Sequence, residues 1–241
     1  MLTRTRLDEA ALNPAAPFHF ILAGGGSSAR FGRDKLWIEI HGKPVLLHSL
    51  APFAAHPGLL SGVVTLSGEG LDAKAARLAP HLPPRFQIIP GGETRSLSVH
   101  RAFAALKADE DDLVVIHDAA RPCLTRTVLD RLLSLADETG AVIAAIPARD
   151  TLKNVSRDRV TGTLPRTDVV QEQTPLIFRA ALLSKAYAKP ESEWKDSTDE
   201  AQMLEAMGLP VYWGMGAPEN IKLTYPEDLT LIVAILKNRA Q

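Results

Sequence analysis

With only one cysteine among its 241 residues, the chain has little thiol chemistry to offer. Cys123 alone excludes an internal disulfide framework and any all-cysteine metal site, and such a composition suits a reducing, cytoplasmic setting. No apolar run approaches the ~20 residues needed to span a bilayer, so no membrane partner is expected. The first residues mix Arg4 and Arg6 with Asp8 and Glu9 and hold no apolar stretch before Pro14. They do not read as a secretory signal, and residues 1–17 are expected to form a loose extension. The formal net charge is -1. Without an excess of positive charge the chain has no footprint for a polyanion, and nucleic acid is not expected as a partner. There is no internal repeat and no low-complexity tract.

What is present is a balanced globular composition, 46% hydrophobic and 23% charged, on a length that suits one large α/β domain. Short apolar runs bounded by turn residues recur at Phe18–Ala23, Gly62–Leu66, Phe86–Ile89, Leu113–His117 and Ala141–Ile146, and read as buried strands. Helical patterns fill the intervals at Pro44–Ala55, Asp72–Leu78, Arg95–Lys107 and Arg126–Glu138, the last with Thr125 as its cap and Gly140 beyond its end. Such alternation predicts a Rossmann-like, doubly wound, mainly parallel sheet covered on both faces, with ligands at the carboxyl ends of its strands. Residues 149–175 break the rhythm: polar and rich in arginine, they predict an excursion from the sheet or a long loop. Beyond them, Ser197 to Glu200 and Thr224 to Glu227 fit capping boxes that open helices at Thr198–Met207 and Pro226–Asn238, with short strands at Val211–Trp213 and Ile221–Leu223 between.

The first strand runs into Ala23-Gly24-Gly25-Gly26-Ser27-Ser28-Ala29-Arg30. Absent side chains there let backbone N–H groups approach a phosphate closely, and a glycine loop after the first strand of such a sheet is a usual nucleotide site. Gly24, Gly26 and Ala29 also match the G-x-G-x-x-A pattern of dinucleotide-binding folds, which makes a hydride-transfer enzyme the rival reading. That fingerprint requires a helix opening inside the loop and an acid ~20 positions on, at the end of the second strand. Here Gly32-Arg33-Asp34-Lys35 interrupts any helix, and the first acid after the second strand is Glu69. An idle nucleotide-binding module would need the glycines but not the cations beside them. Arg30 and Lys35 are those cations. Next to a triphosphate they would neutralise charge that grows on the α-phosphate and pyrophosphate as the bond between them breaks.

With these residues in place the chain resembles the 2-C-methyl-D-erythritol 4-phosphate cytidylyltransferase family of glycine-rich-loop nucleotidyltransferases, from about Phe18 to about Leu236. The resemblance is carried by LAGGGSSARFG-x-x-K, GGETRSLSV, HDAARP, DTLK, QTP, TDEA and NIKLTYPEDL in that order. It implies an enzyme of isoprenoid precursor synthesis that joins CMP from CTP to a sugar-alcohol phosphate, with residues 18–241 as a single domain. Gly24, Gly25, Gly26, Arg30 and Lys35 would hold the CTP phosphates, Arg30 and Lys35 stabilising the transition state. Ala23, Gly92 and Ser98 would read cytosine. Asp118, at the end of the fourth strand, would hold Mg2+, directly or through water, while Arg121 would brace the loop. Thr151, Arg166, Thr174, Thr198 and Lys222 would contact the acceptor, with Arg166 and Lys222 gripping its phosphate. The resemblance further implies a homodimer in which residues 149–175 form an arm over the partner. Two departures stand out: the family commonly has proline where this chain has Asp34, and the Gly24 to Arg30 stretch is one residue longer than usual. Asp-Lys at that point resembles the molybdopterin nucleotidyltransferases, and ribitol 5-phosphate or another polyol phosphate is the alternative acceptor.

Overall fold

A computed structural model describes residues 16–25, 31, 34–66 and 70–239. Seven strands form its central sheet: β1 (Phe18–Gly24), β4 (Leu59–Leu66), β5 (Phe86–Pro90), β6 (Leu113–Asp118), β7 (Ala141–Pro147), β10 (Val170–Arg179) and β11 (Tyr212–Met215). Their order across the sheet is β11-β7-β10-β6-β1-β4-β5. Two ribbons stand apart, β2 (Glu39–Ile40) with β3 (Lys43–Pro44), and β8 (Leu152–Ser156) with β9 (Arg159–Leu164). All neighbours in the large sheet are parallel except β10, which runs antiparallel to both β6 and β7.

Helices cover both faces because the strands alternate their side chains. Phe18, Phe20 and Leu22 of β1 enter one buried cluster with α1 (Val45–Ala54), α4 (Arg126–Thr139) and α8 (Asp228–Arg239), where Phe53 stacks on Phe20 at 4.1 Å. Ile21 points the other way, into a cluster with α3 (Arg95–Leu106), α5 (Ala180–Tyr187), Trp194 of α6 (Glu191–Trp194) and α7 (Glu200–Ala206). A further helix, α2 (Leu71–Leu78), follows β4. Among the described residues no helix is long and apolar enough to cross a membrane.

The five apolar runs that predict strands all form them, and Thr125 and Gly140 cap α4 as expected, the Thr125 hydroxyl accepting from Val128 N. Two expectations are corrected and one is resolved. Of the two alternatives for residues 149–175 the excursion is found: the chain leaves the sheet as the β8–β9 ribbon and returns in the first half of β10, which lies inside the sheet. Ile221–Leu223 is not a strand; Leu223 N donates to Ala120 O at 2.8 Å, so the segment is pinned beside the turn after β6 and joins no sheet edge. Neither capping box forms. Asp199, not Ser197, caps α7 by accepting from Gln202 N, because Glu200 is fully buried on Arg95 and cannot reach back to a cap. Before α8, Asp228 accepts from the backbone N–H groups of Thr224 and Tyr225, so the helix starts at Asp228 rather than Pro226.

Candidate active site

β1, β4, β5 and β6 end together at one edge of the sheet, and parallel pairing brings Ala23 level with both Thr65 and Asp118. β1 leaves the sheet through Gly24, whose N–H donates to the Thr65 hydroxyl at 3.2 Å. A Cβ on Gly24 would lie 2.6 Å from Thr65 O, so only glycine lets the chain turn there. Gly26 and Arg30 lie outside the described residues. Lys35 opens a short 3-10 turn, Lys35–Trp37, whose Leu36 is buried near Gly24.

On the next wall, Thr94 caps α3 and the first turn of that helix carries Arg95, Ser96 and Ser98. Ser98 is buried, and its hydroxyl has two fixed partners: it donates to Thr94 O at 2.9 Å and accepts from Gly92 N at 2.9 Å. Gly25 packs directly on it, since a Cβ there would sit 2.5 Å from Ser98 Oγ. Gly25, Gly92 and Ser98 therefore form one surface. Ala23 contributes differently: its carbonyl is used inside the protein, accepting from Ala119 N at 3.0 Å.

Asp118 is the centre of charge. Its Oδ2 lies 2.7 Å from Lys222 Nζ and 3.7 Å from Arg121 Nε, and its Oδ1 lies 3.4 Å from Arg95 Nε. Burial alone would raise its pKa, but Arg95, Lys222 and Arg121 outweigh that and hold the carboxyl well below the usual carboxylate range. Arg95 is itself gripped by Glu200, at 2.9 and 3.1 Å, and Glu200 also accepts from the Tyr187 hydroxyl at 3.4 Å. Arg121 Nη1 donates to Asn220 O at 2.9 Å, tying the turn after β6 to the segment that carries Lys222.

Thr174 reaches this cluster because β10 lies beside β6; its hydroxyl accepts from Asp118 N at 3.1 Å and lies 2.9 Å from His117 Nδ1. His117 Nε2 faces Arg121 O, a carbonyl that can only accept, so that nitrogen carries the ring proton. The Nδ1 of the neutral ring then accepts, and the Thr174 hydrogen belongs to His117. Burial drives the His117 pKa down to about 4, which keeps the ring neutral.

The structure thus joins Asp118, Thr174 and Lys222 in one cluster and Gly25, Gly92 and Ser98 in another, with Arg95 on the helix that links them. It leaves three expected residues aside. Thr198 is exposed and bonded locally to Asp199 and Gln202, Thr151 is exposed before β8, and Arg166 is exposed with Nη1 donating to Arg149 O at 3.0 Å. Arg95 and Glu200, which the sequence reading misses, extend the charge cluster around Asp118. A signal exists, since a cation in the first turn of a helix opposes the helix dipole and demands an acidic partner.

The profile described as "IspD: 2-C-methyl-D-erythritol 4-phosphate cytidylyltransferase" matches residues 19–238. The chain belongs to this family. A 2-C-methyl-D-erythritol 4-phosphate cytidylyltransferase of Acidobacterium capsulatum is 35% identical over 94% of this chain and 96% of its own length. The crystal structure of the enzyme of that name from Thermus thermophilus superposes with a TM-score of 0.72 at 30% identity, over 92% of this chain and 99% of that one. A solved 4-diphosphocytidyl-2C-methyl-D-erythritol synthase superposes with a TM-score of 0.77 at 31% identity, over 92% and 99%. By these similarities the chain is a nucleotidyltransferase of the IspD family.

Proposed function

We propose that this chain transfers the cytidylyl group of CTP to 2-C-methyl-D-erythritol 4-phosphate, working in the cytoplasm with residues 18–241 as one catalytic domain. The observation that carries the reading is the convergence of Asp118, Lys222, Arg121, Arg95 and Thr174 beside the glycine turn at the carboxyl edge of the parallel strands. No protein nucleophile is required. An oxygen of the acceptor phosphate attacks the α-phosphorus of CTP, a new P–O bond forms, the bond to the β-phosphate oxygen breaks, and pyrophosphate leaves with that electron pair. Catalysis then consists of positioning and charge neutralisation.

The glycine loop, Gly24 to Gly26, holds the triphosphate, Gly24 by letting the chain turn, since its own N–H is given to Thr65, while Arg30 and Lys35 neutralise charge on the α-phosphate and leaving pyrophosphate. Gly92, Ser98 and the backbone of Ala23 read the base. The hydrogen of Ser98 is committed to Thr94 O, so its hydroxyl offers the ligand only a lone pair. A lone pair suits the exocyclic amine of cytosine and not the carbonyl that replaces it in uracil.

The chemistry of the residues fits Mg2+. Among the described residues no group of three His, Cys, Asp or Glu side chains could form a cage for a metal. One ionised carboxylate, Asp118, completed by phosphate and water oxygens, is a frequent magnesium arrangement. When bound, the ion would offset the negative charge of the phosphates. Lys222, Thr174, Thr198 and Thr151 orient the acceptor, and Arg166 holds its phosphate from the arm of residues 149–175. That arm presents Val155 and Val160, 66% and 64% exposed, on one ribbon. We assign their cover to a second copy of the chain in a homodimer.

The test is pyrophosphate release with CTP and magnesium, comparing 2-C-methyl-D-erythritol 4-phosphate, ribitol 5-phosphate and molybdopterin as acceptors. Turnover should be fastest with the first. Faster turnover with ribitol 5-phosphate would move the enzyme to the alternative acceptor, and binding of NAD without pyrophosphate release would overturn the reading.

A further inference from the structure

Lys35 stands on a three-residue turn at the sheet edge, and a turn that short has little stiffness of its own. Its surroundings supply the stiffness. On one side, Asp34 caps the turn, its Oδ1 accepting from Leu36 N at 3.3 Å, and Trp37 N donates to Asp34 O at 3.3 Å. The other carboxylate oxygen of Asp34 lies 2.7 Å from Lys74 Nζ, on α2. Beyond Lys35, Leu36 is buried near Gly24, and Arg77, one helical turn after Lys74, stacks over the Trp37 ring at 4.9 Å and reaches Glu39 at 2.8 Å. One face of α2 therefore clamps the segment on both sides of Lys35, and Asp34 is the residue that takes part in both the cap and the clamp.

We propose that Asp34 and Lys74 are positioning residues that set Lys35 for the transition state, a role that rests on the reading of Lys35 above. Asp34 has φ -69°, inside the range where a proline ring would fix the backbone. The carboxylate thus holds by a hydrogen bond and an ion pair what a ring would hold covalently. Neither Asp34 nor Lys74 contacts the reacting atoms in this account; both act through the backbone that carries Lys35.

The experiment compares steady-state kinetics of Asp34→Ala, Lys74→Ala, the double variant, Lys74→Arg and Lys35→Ala in the full chain with CTP and magnesium. Lys74→Ala is expected to lower kcat by about fivefold, the fold-change matching a surface ion pair at the upper end of its strength, with the KM for CTP within about twofold. Asp34→Ala loses the cap as well and should fall at least as far, the double variant no further than Asp34→Ala, and Lys74→Arg should restore most of kcat. A double variant whose losses multiply would show that the two residues act separately, overturning the proposal. A wild-type kcat for Lys74→Ala beside a collapsed kcat for Lys35→Ala would refute the clamp and leave the role of Lys35 standing. A lowered melting temperature with unchanged kcat would make the contact merely structural. A raised KM for CTP at unchanged kcat would place Lys74 on the nucleotide instead, and an unaffected Lys35→Ala would remove both the clamp and the reading it rests on.

Discussion

Asp118 and Arg166 carry opposite kinds of surroundings. Asp118 is buried at a strand end, bounded by Arg95, Arg121 and Lys222, with its backbone N–H on Thr174. Arg166 lies exposed on the arm, and its guanidinium bonds to the carbonyl of Arg149. The first region is organised by contacts within one chain, and the proposed function gives it the nucleotide and the metal. The second has few contacts of its own, and the proposed function gives it a partner subunit. The division matches the chemistry, since the part that neutralises charge must be preorganised, while the part that grips a small acceptor can be supplied by a partner subunit.

The most severe way to break this contrast is at Asp118. Replacing it with alanine leaves three clustered cations without their shared anion. We expect a loss of about 3 kcal/mol of stability in a urea titration and a fall of roughly 100-fold or more in kcat by pyrophosphate release. Acid should act next most strongly, through the same region. His117 titrates near 6.5 when unfolded but at about 4 in the folded chain, so the unfolded state takes up the proton first as the pH falls. The stability it contributes is complete above about pH 6.5 and is lost toward about pH 4, about 3 kcal/mol in all. Asp118, with its lowered pKa, extends the loss further into acid. Glu172, pushed up to about 7 chiefly by burial, takes up its proton in the folded chain over the same range and opposes this slope. The measurement is therefore made in Glu172→Gln, whose unfolding midpoints from about pH 7 to about pH 4 should show the loss, and a flat profile there would contradict the buried neutral ring. Arg166→Ala should give the smallest structural effect, within about 0.5 kcal/mol of wild type, while raising the KM for the acceptor and sparing that for CTP.

How much of this is legible in the sequence follows the same divide. β1, β6 and the second half of β4 announce themselves because they are buried on both faces and read as largely apolar runs. β10 hides because its first half, Val170-Gln171-Glu172-Gln173, is polar and Pro175 follows, so only Leu176 to Phe178 carry a strand signal. That strand nevertheless delivers Thr174 to Asp118, a long-range pairing that no local pattern encodes. The apolar neighbours Ile221 and Leu223 suggest a short strand around Lys222, yet it lies on an irregular segment held by Ala120 and Arg121. Glu200 reads as half of a capping box. Only the fold brings Arg95 within its reach and converts a helix signal into a buried ion pair.

Complementation between Lys35→Ala and Arg166→Ala tests the division of the site most directly. Each variant alone should be nearly inactive at limiting acceptor. If Arg166 serves the partner's site, each mixed dimer holds one site with both residues intact and one with both lost. After equal mixing with demonstrated subunit exchange, half of the dimers are mixed and half of their sites work, so activity should recover to about a quarter of wild type. No recovery despite exchange would mean that Arg166 acts within its own chain and that the arm is not shared.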